Sequence, residues 1–149
     1  SHQCAHYREH GITGLPVVDG DRAVGILTAG YQKDQTDPQW KDDPGFKRWS
    51  AFMDKYYPDG DKSSSFTGYA YSVAQTLVHV LKQCGDDLTR DNVMRQAASL
   101  KGLELEMLQP GIKLDTSADD YFPIEHMQMQ RFTGERWETF GPVISGEIR

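Results

Sequence analysis

The first residues whose spacing could support chemistry are three histidines near the N-terminus. His2, His6 and His10 follow one another at intervals of four, which places three imidazoles on one face of a helix. Neutral imidazoles in such a row can hold Zn²⁺ or Ni²⁺. An exposed polar helix is the favoured alternative, because no cysteine or carboxylate completes a recognisable site. We therefore predict no metal site.

A second candidate metal-binding stretch is rich in aspartate. It lacks the D-x-D-x-D-G…E ligand order of a calcium loop, and capping and turn formation explain its carboxylates better. These residues are Asp34, Asp37, Asp42 and Asp43. The sequence also contains no G-x-S-x-G, P-loop, G-x-G-x-x-G or H-E-x-x-H motif. We therefore expect no catalytic residues, no enzymatic reaction and no cofactor.

Two aromatic residues are the remaining candidates for ligand binding. Phe66 and Tyr69 lie at the start of the clearest predicted helix, just after serines 63–65. A helix N-terminus can receive a carboxylate, and an aromatic ring beside it can cover the apolar part of a small ligand. Spacing alone favours a different interpretation, in which both rings are core residues.

Three predicted helices, between strands at both ends of the chain, would position these residues. The first helix covers 44–57 and opens at Asp43-Pro44. The second covers 66–84 and ends at Gly85, and the third covers 89–100 behind a Thr89 cap. Apolar residues recur along the second helix at helical spacing. They are Phe66, Tyr69, Ala70, Val73, Leu77, Val80 and Leu81. Ala74 and Val78 widen this stripe, so we expect the helix to be buried on more than one side.

The predicted strands contain alternating or β-branched residues and are joined by turn-forming sequences. They are 15–18, 23–29, 112–114, 124–132 and 137–144. The first two are expected to pair as a hairpin, and so are the last two. Helices between strands predict an α/β or α+β arrangement with helices packed on a sheet.

Composition limits the possible partners. The chain has 149 residues, 38% of them hydrophobic, and a formal net charge of −6, which argues against a nucleic-acid or anionic-membrane partner. No apolar run reaches the ~20 residues of a transmembrane helix, and the polar first ten residues do not form a secretory signal. Cys4 and Cys84 are expected to be unpaired buried thiols, with a single disulfide as the alternative.

From about residue 24 onward, the chain resembles the C-terminal third of solute-binding proteins of branched-chain amino-acid-type ABC transporters. The stretches GILTAGYQKDQTDPQWKDDPGFKRW and GYAYSVAQTLVHVLKQCGDDLTRDNV carry this resemblance. It implies part of a type I periplasmic-binding fold, an α/β fold with two lobes and a ligand between them. The loops near 30–38 and 115–120 would connect the lobes. Phe66 would border the ligand pocket, with Tyr69 as a weaker candidate.

The N-terminal stretch is similar to another family. REHGITGLPVVDGDRAVGILT resembles half of a CBS domain, a module that binds adenine nucleotides. Tyr31 occupies the place of the aspartate that contacts ribose in such domains. These resemblances imply a CBS-like fragment at 1–29 and a periplasmic ligand-binding portion at 30–149, although residues 1–23 could instead be a divergent part of the binding protein.

The resemblance to the binding proteins implies a periplasmic receptor that captures an amino acid or a small aromatic acid without covalent chemistry and then docks on an ABC permease. A cytoplasmic regulatory module of the CBS type that senses adenine nucleotides is the alternative. Because such a chain would lack most of one lobe, the resemblance also implies exposed apolar helix faces and possible self-association.

Overall fold

The computed structural model describes residues 23–146, which form one antiparallel sheet and three α-helices. In chain order the elements are β1 (Leu27–Gly30), a 3₁₀ turn (Pro38–Trp40), α1 (Pro44–Tyr56), α2 (Ser65–Cys84), α3 (Arg90–Ala97), β2 (His126–Phe132) and β3 (Trp137–Ser145). Within this part of the chain, no helix combines the length and the apolar character needed to cross a bilayer.

The sheet has the order β1-β2-β3, and both strand pairs are antiparallel. The pairing of β2 with β3 confirms the predicted C-terminal hairpin, which turns around Gly134 at a φ of +100°. The pairing of β1 with β2 joins residues about a hundred positions apart, and Ala29 lies opposite Met129. The predicted 15–18 strand and its hairpin lie outside the described residues.

Local sequence signals account for the helix ends. The Asp43 carboxylate accepts a hydrogen bond from Phe46 N at the start of α1, with Pro44 at the first helical position. Thr89 Oγ1 accepts from Asn92 N at the start of α3. Gly85 ends α2 in the left-handed region at a φ of +58°. These caps confirm the three predicted helices, except that α3 ends at Ala97 instead of residue 100.

The buried face of α2 differs from the predicted one. The predicted apolar stripe is largely exposed, with Val73 49% and Leu77 53% accessible. The buried residues of this helix are Gly68, Ser72, Val80 and Cys84. Only Val80 belongs to both sets, so the expectation that α2 is buried on more than one side is wrong. Within residues 23–146, no element packs over the most apolar face of this helix, whose side chains stay about half exposed.

The buried apolar residues among 23–146 form several small clusters. Trp49, Met53 and Met107 pack between α1 and the loop that joins α3 to β2, residues 98–125. Cys84 is buried beside Val80 and Leu100, as expected for a structural thiol, whereas Cys4 lies outside the described residues. Further clusters are Phe132–Trp137 on the sheet and Leu108–Ile112–Leu114 in the loop.

Two predicted strands differ from the structure: one is absent and the other is shorter. Residues 112–114 form no strand and contribute only the isolated bridge between Leu103 and Leu114. The predicted strand 23–29 begins at Leu27, because Ile26 N donates to Ala23 O and closes a tight turn. Gly25 N donates to Phe132 O, and this bond anchors the turn against the end of β2.

Candidate functional site

A cleft of about 330 Å³ opens beside the first turn of α2, and Phe66 lines it. The ring is 69% exposed, so the interpretation of Phe66 as a core residue is wrong. Met127 and Trp137 line the cleft from the sheet, and Gln32 and Lys33 line it from the chain that follows β1. We call this the Phe66 cleft. An apolar ring beside polar groups at a helix N-terminus is an arrangement that suits a small amphipathic ligand.

Tyr69 lies on a different surface. Together with Val73, Leu77, Leu108 and Ile124 it lines an apolar groove of about 540 Å³, adjacent to the Phe66 cleft. The Tyr69 side chain is 51% exposed, so it is not a core residue either. The two predicted ligand-binding residues therefore lie on neighbouring surfaces, and only Phe66 lines the cleft at the helix start.

The floor of the Phe66 cleft is the linking segment, residues 31–35, which follows β1. On one side this segment pairs with the loop that joins α3 to β2, because Lys33 N donates to Met107 O at 2.9 Å and Gln109 N donates to Tyr31 O at 2.8 Å. On the other side it contacts the start of α2, where Gln32 Nε2 donates to Ser65 O at 3.0 Å. The cleft is thus built on backbone that is fixed from two directions.

Lys33 places a positive charge beneath the cleft and is only 6% exposed. Its Nζ donates to Asp43 Oδ1 at 2.7 Å and to Glu106 O at 2.9 Å. Burial raises the pKa of Asp43, but hydrogen bonds from Lys33 and from Phe46 N, together with the charge of Lys33, outweigh burial and hold that pKa below its usual value. The pair is therefore charged and leaves little net positive charge for a ligand.

Glu106 joins both long helices to the loop beneath the cleft. Its carboxylate accepts hydrogen bonds from Arg48 Nε on α1 and, at 2.6 Å, from Tyr71 Oη on α2. Burial, followed by the hydrogen bond to Glu106, raises the pKa of Tyr71 to about 12. Tyr71 is therefore a neutral donor at physiological pH, and the network has a structural role.

Two buried polar atoms on residues that line the Phe66 cleft have no hydrogen-bond partner within the described chain. They are Asp34 Oδ2 and Trp137 Nε1. The other carboxylate oxygen of Asp34 accepts from Thr36 N at 2.8 Å and from Thr36 Oγ1 at 2.7 Å, which fixes the orientation of the side chain. Buried polar atoms are normally paired, so the interior beside the cleft retains one unused acceptor and one unused donor.

The other candidate residues have structural roles where they are described. Asp37 caps the 3₁₀ turn through Gln39 N, Asp43 caps α1, and Asp42 pairs with Lys47. The contacts of Asp34, Asp37 and Asp43 confirm the capping and turn interpretation, whereas Asp42 forms an exposed ion pair. No group of three or more potential metal ligands occurs within residues 23–146. His2, His6 and His10 lie outside the described residues.

Sequence patterns did not single out most residues that line the cleft. Gln32, Gln35 and Gln130 carry no motif, and Trp137 was placed only as the start of a strand. The residues that line the cleft come from positions 28–35, 65–66 and 127–137, which the tertiary fold brings together. No local signal in the sequence marks such a set.

Comparison with known proteins shows the fold. The structure is similar to the crystal structure of a branched chain amino acid ABC transporter from Thermus thermophilus with bound valine, with a TM-score of 0.64 and 16% sequence identity. The match covers 85% of this chain but 35% of the other, so the chain spans about a third of that protein's length. No protein-family model matches the sequence, and no curated protein matches it either.

This similarity confirms the predicted fold class, a mixed α/β portion of a periplasmic binding protein fold. The resemblance of residues 8–28 to a CBS domain finds no support in the comparisons. Most of that stretch lies outside the described residues. Of the described part, residues 23–28, Leu27 and Thr28 belong to β1, which pairs with β2. The division into domains at 29/30 stays a prediction.

Proposed function

We propose that the chain is part of the solute-binding receptor of an ABC importer and captures an amino acid or a small aromatic acid without covalent chemistry. The single observation that carries the proposal is the exposed Phe66 ring beside a cleft at the start of α2. The fold likeness supports it, because the similar protein has valine bound. Binding proteins of this kind enclose the ligand between two lobes, and this chain supplies one wall of the site.

The proposal extends to partners and location. A receptor of this kind works in the periplasm, delivers its ligand to an ABC permease and performs no reaction itself. We also propose that the uncovered apolar face of α2 supports self-association of the chain, since its exposed residues Val73 and Leu77 contact nothing that would shield them among the described elements.

Calorimetric titration of the chain with L-valine, L-leucine, benzoate and AMP tests this function. We expect saturable heat with at least one amino acid or aromatic acid and none with AMP. Substitution Phe66→Ala should weaken that binding by about tenfold, because a ring contact of this size contributes roughly 1–2 kcal/mol.

Phe122→Ala is the matched control for the ring. Phe122 is 76% exposed and does not line the Phe66 cleft, so its loss should leave the affinity unchanged. Binding of AMP alone would favour the nucleotide-sensing alternative, and equal effects of the two substitutions would remove Phe66 from the site.

A further inference from the structure

Two glutamine side chains hold the start of α2. Gln32 Nε2 donates to the carbonyl oxygen of Ser65 at 3.0 Å, and Gln35 Nε2 donates to that of Ser64 at 3.3 Å. Both glutamines belong to the linking segment, about thirty positions earlier in the chain, and Gln35 is 9% exposed. The last residues before Phe66 are therefore tied to the floor of the cleft by side-chain amides.

Gly68 provides the space for these amides. A Cβ atom at this buried position would lie 2.2 Å from Gln35 Nε2 and 2.7 Å from Gln32 Nε2. Glycine is disfavoured inside a helix relative to alanine, and the φ of Gly68 is not in the left-handed region. Close approach of the two amides, not backbone conformation, thus explains why a residue without a side chain fits here.

The backbone that carries the two glutamines is itself held by hydrogen bonds. Gln109 Nε2 donates to Gln32 O at 3.1 Å, and Lys33 between them is held by Asp43 and by the Glu106 carbonyl. Because this backbone is held and the amides bond to the two residues immediately before Phe66, the position of the ring depends on these contacts.

We propose that Gln32, Gln35 and Gly68 form an amide clamp that positions the Phe66 ring over the cleft and thereby sets the affinity of the site. Gln32 and Gln35 also line the cleft, whereas Gly68 does not, so a substitution at Gly68 tests positioning apart from direct contact with the ligand. The affinity part of this inference rests on the proposed function, whereas the clamp itself can be measured without any ligand.

Gly68→Ala separates positioning from stability. Its Cβ would displace only the far ends of two flexible side chains, and alanine favours the helix, so the Tm of the 149-residue chain should stay the same or rise. In the first turn of α2, the Thr67 amide donates to Ser64 O at 3.1 Å, the carbonyl that Gln35 also holds. Hydrogen exchange of the Thr67 amide, measured by mass spectrometry, should become about tenfold faster, the effect of losing roughly one hydrogen bond. Exchange near Cys84 should not change.

The binding measurement uses L-valine as the probe. Gly68→Ala and Gln35→Leu should each weaken L-valine binding by about tenfold. Gln83→Leu, at an exposed position on the last turn of α2, is the matched control and should leave both exchange and affinity unchanged. Substitution of a merely structural residue would lower the Tm together with the affinity. Gly68→Ala is expected to lower the affinity without lowering the Tm.

The possible results distinguish the two proposals. Unchanged exchange in the first turn of α2 in both variants overturns the clamp, whatever the binding result. Faster exchange with unchanged L-valine affinity overturns its positioning role. If the unsubstituted chain binds none of L-valine, L-leucine and benzoate, the proposed function is wrong and the affinity claim fails with it, while the exchange measurement still decides whether the clamp exists.

Discussion

The Lys33 side chain connects the linking segment beneath the cleft to Asp43 and to the Glu106 carbonyl. Its ammonium group is removed from solvent, and a buried charge is costly unless it is paired and hydrogen-bonded. The pairing with Asp43 and Glu106 O meets that requirement with groups from the N-cap of α1 and from the loop that joins α3 to β2. The linking segment therefore cannot move away from α1 without leaving this cation unpaired.

Asp43→Asn tests the charge of this pair while keeping an acceptor for the helix cap. The free energy of unfolding at pH 7 should fall by about 2 kcal/mol, because a hydrogen bond between charged groups becomes a weaker one. Urea unfolding measures the change. Asp42→Asn is the control, because the Lys47 and Asp42 side chains are 59% and 91% exposed, and its loss should be below about 0.5 kcal/mol.

The same variant has a defined pH dependence. The pKa of Asp43 in the folded chain is held below the ordinary value of 3.8, so its contribution is fully present above that pH and is lost as pH falls through the folded value. The difference between the unsubstituted chain and Asp43→Asn should therefore shrink below pH 3.8. A difference that stayed constant into strong acid would mean that the charge of Asp43 does not stabilise the fold.

At the scale of elements, α1 is positioned by a close backbone contact at its N-terminus. A Cβ atom on Gly45 would lie 2.7 Å from the carbonyl oxygen of Glu106 and 3.1 Å from its Cα. Backbone cannot rotate out of the way as a flexible side chain can. Gly45 thus permits the helix start to approach the loop that also holds Lys33.

Gly45→Ala should lower the free energy of unfolding by about 1–3 kcal/mol, the usual cost of overpacking, even though alanine is the better helix former. Chemical denaturation monitored by tryptophan fluorescence measures it. Gly68→Ala is the matched control within a helix, because its Cβ would meet only side-chain amides. Equal stability of the two variants would show that the loop yields at Glu106.

Local sequence signals predicted the helix ends, whereas the error in the buried face of α2 comes from packing between distant segments. Asp43-Pro44, Thr89 and Gly85 act on neighbouring backbone, so the helix boundaries they predict agree with the structure. Periodicity on α2 located its apolar face correctly but could not show which face the rest of the chain covers. The buried side instead carries Gly68 and Ser72, whose small size allows close approach. Phe66 was predicted as a candidate from its place at the helix start, whereas the amides around it come from distant segments.

At the scale of the whole molecule, the exposed face of α2 is the main unbalanced feature. Apolar side chains normally drive folding by leaving water, yet Tyr69, Val73 and Leu77 remain about half exposed. The helix carries no acidic residue in a chain of net charge −6, so it adds no negative charge that would repel a second copy. The chain matches about a third of the length of the similar protein.

If two copies of the chain cover this face for each other, the double substitution Val73→Ser/Leu77→Ser should weaken self-association by more than about tenfold, since each buried aliphatic side chain contributes roughly 1.5–3 kcal/mol. Sedimentation velocity over a range of concentrations measures the change. Val78→Ser is the control, because Val78 is 49% exposed but does not line the apolar groove, and it should behave like the unsubstituted chain. An unsubstituted chain that stays monomeric at every concentration would show that the α2 face does not support self-association. Equal loss of association in the double variant and in Val78→Ser would show that the contact does not depend on Val73 and Leu77.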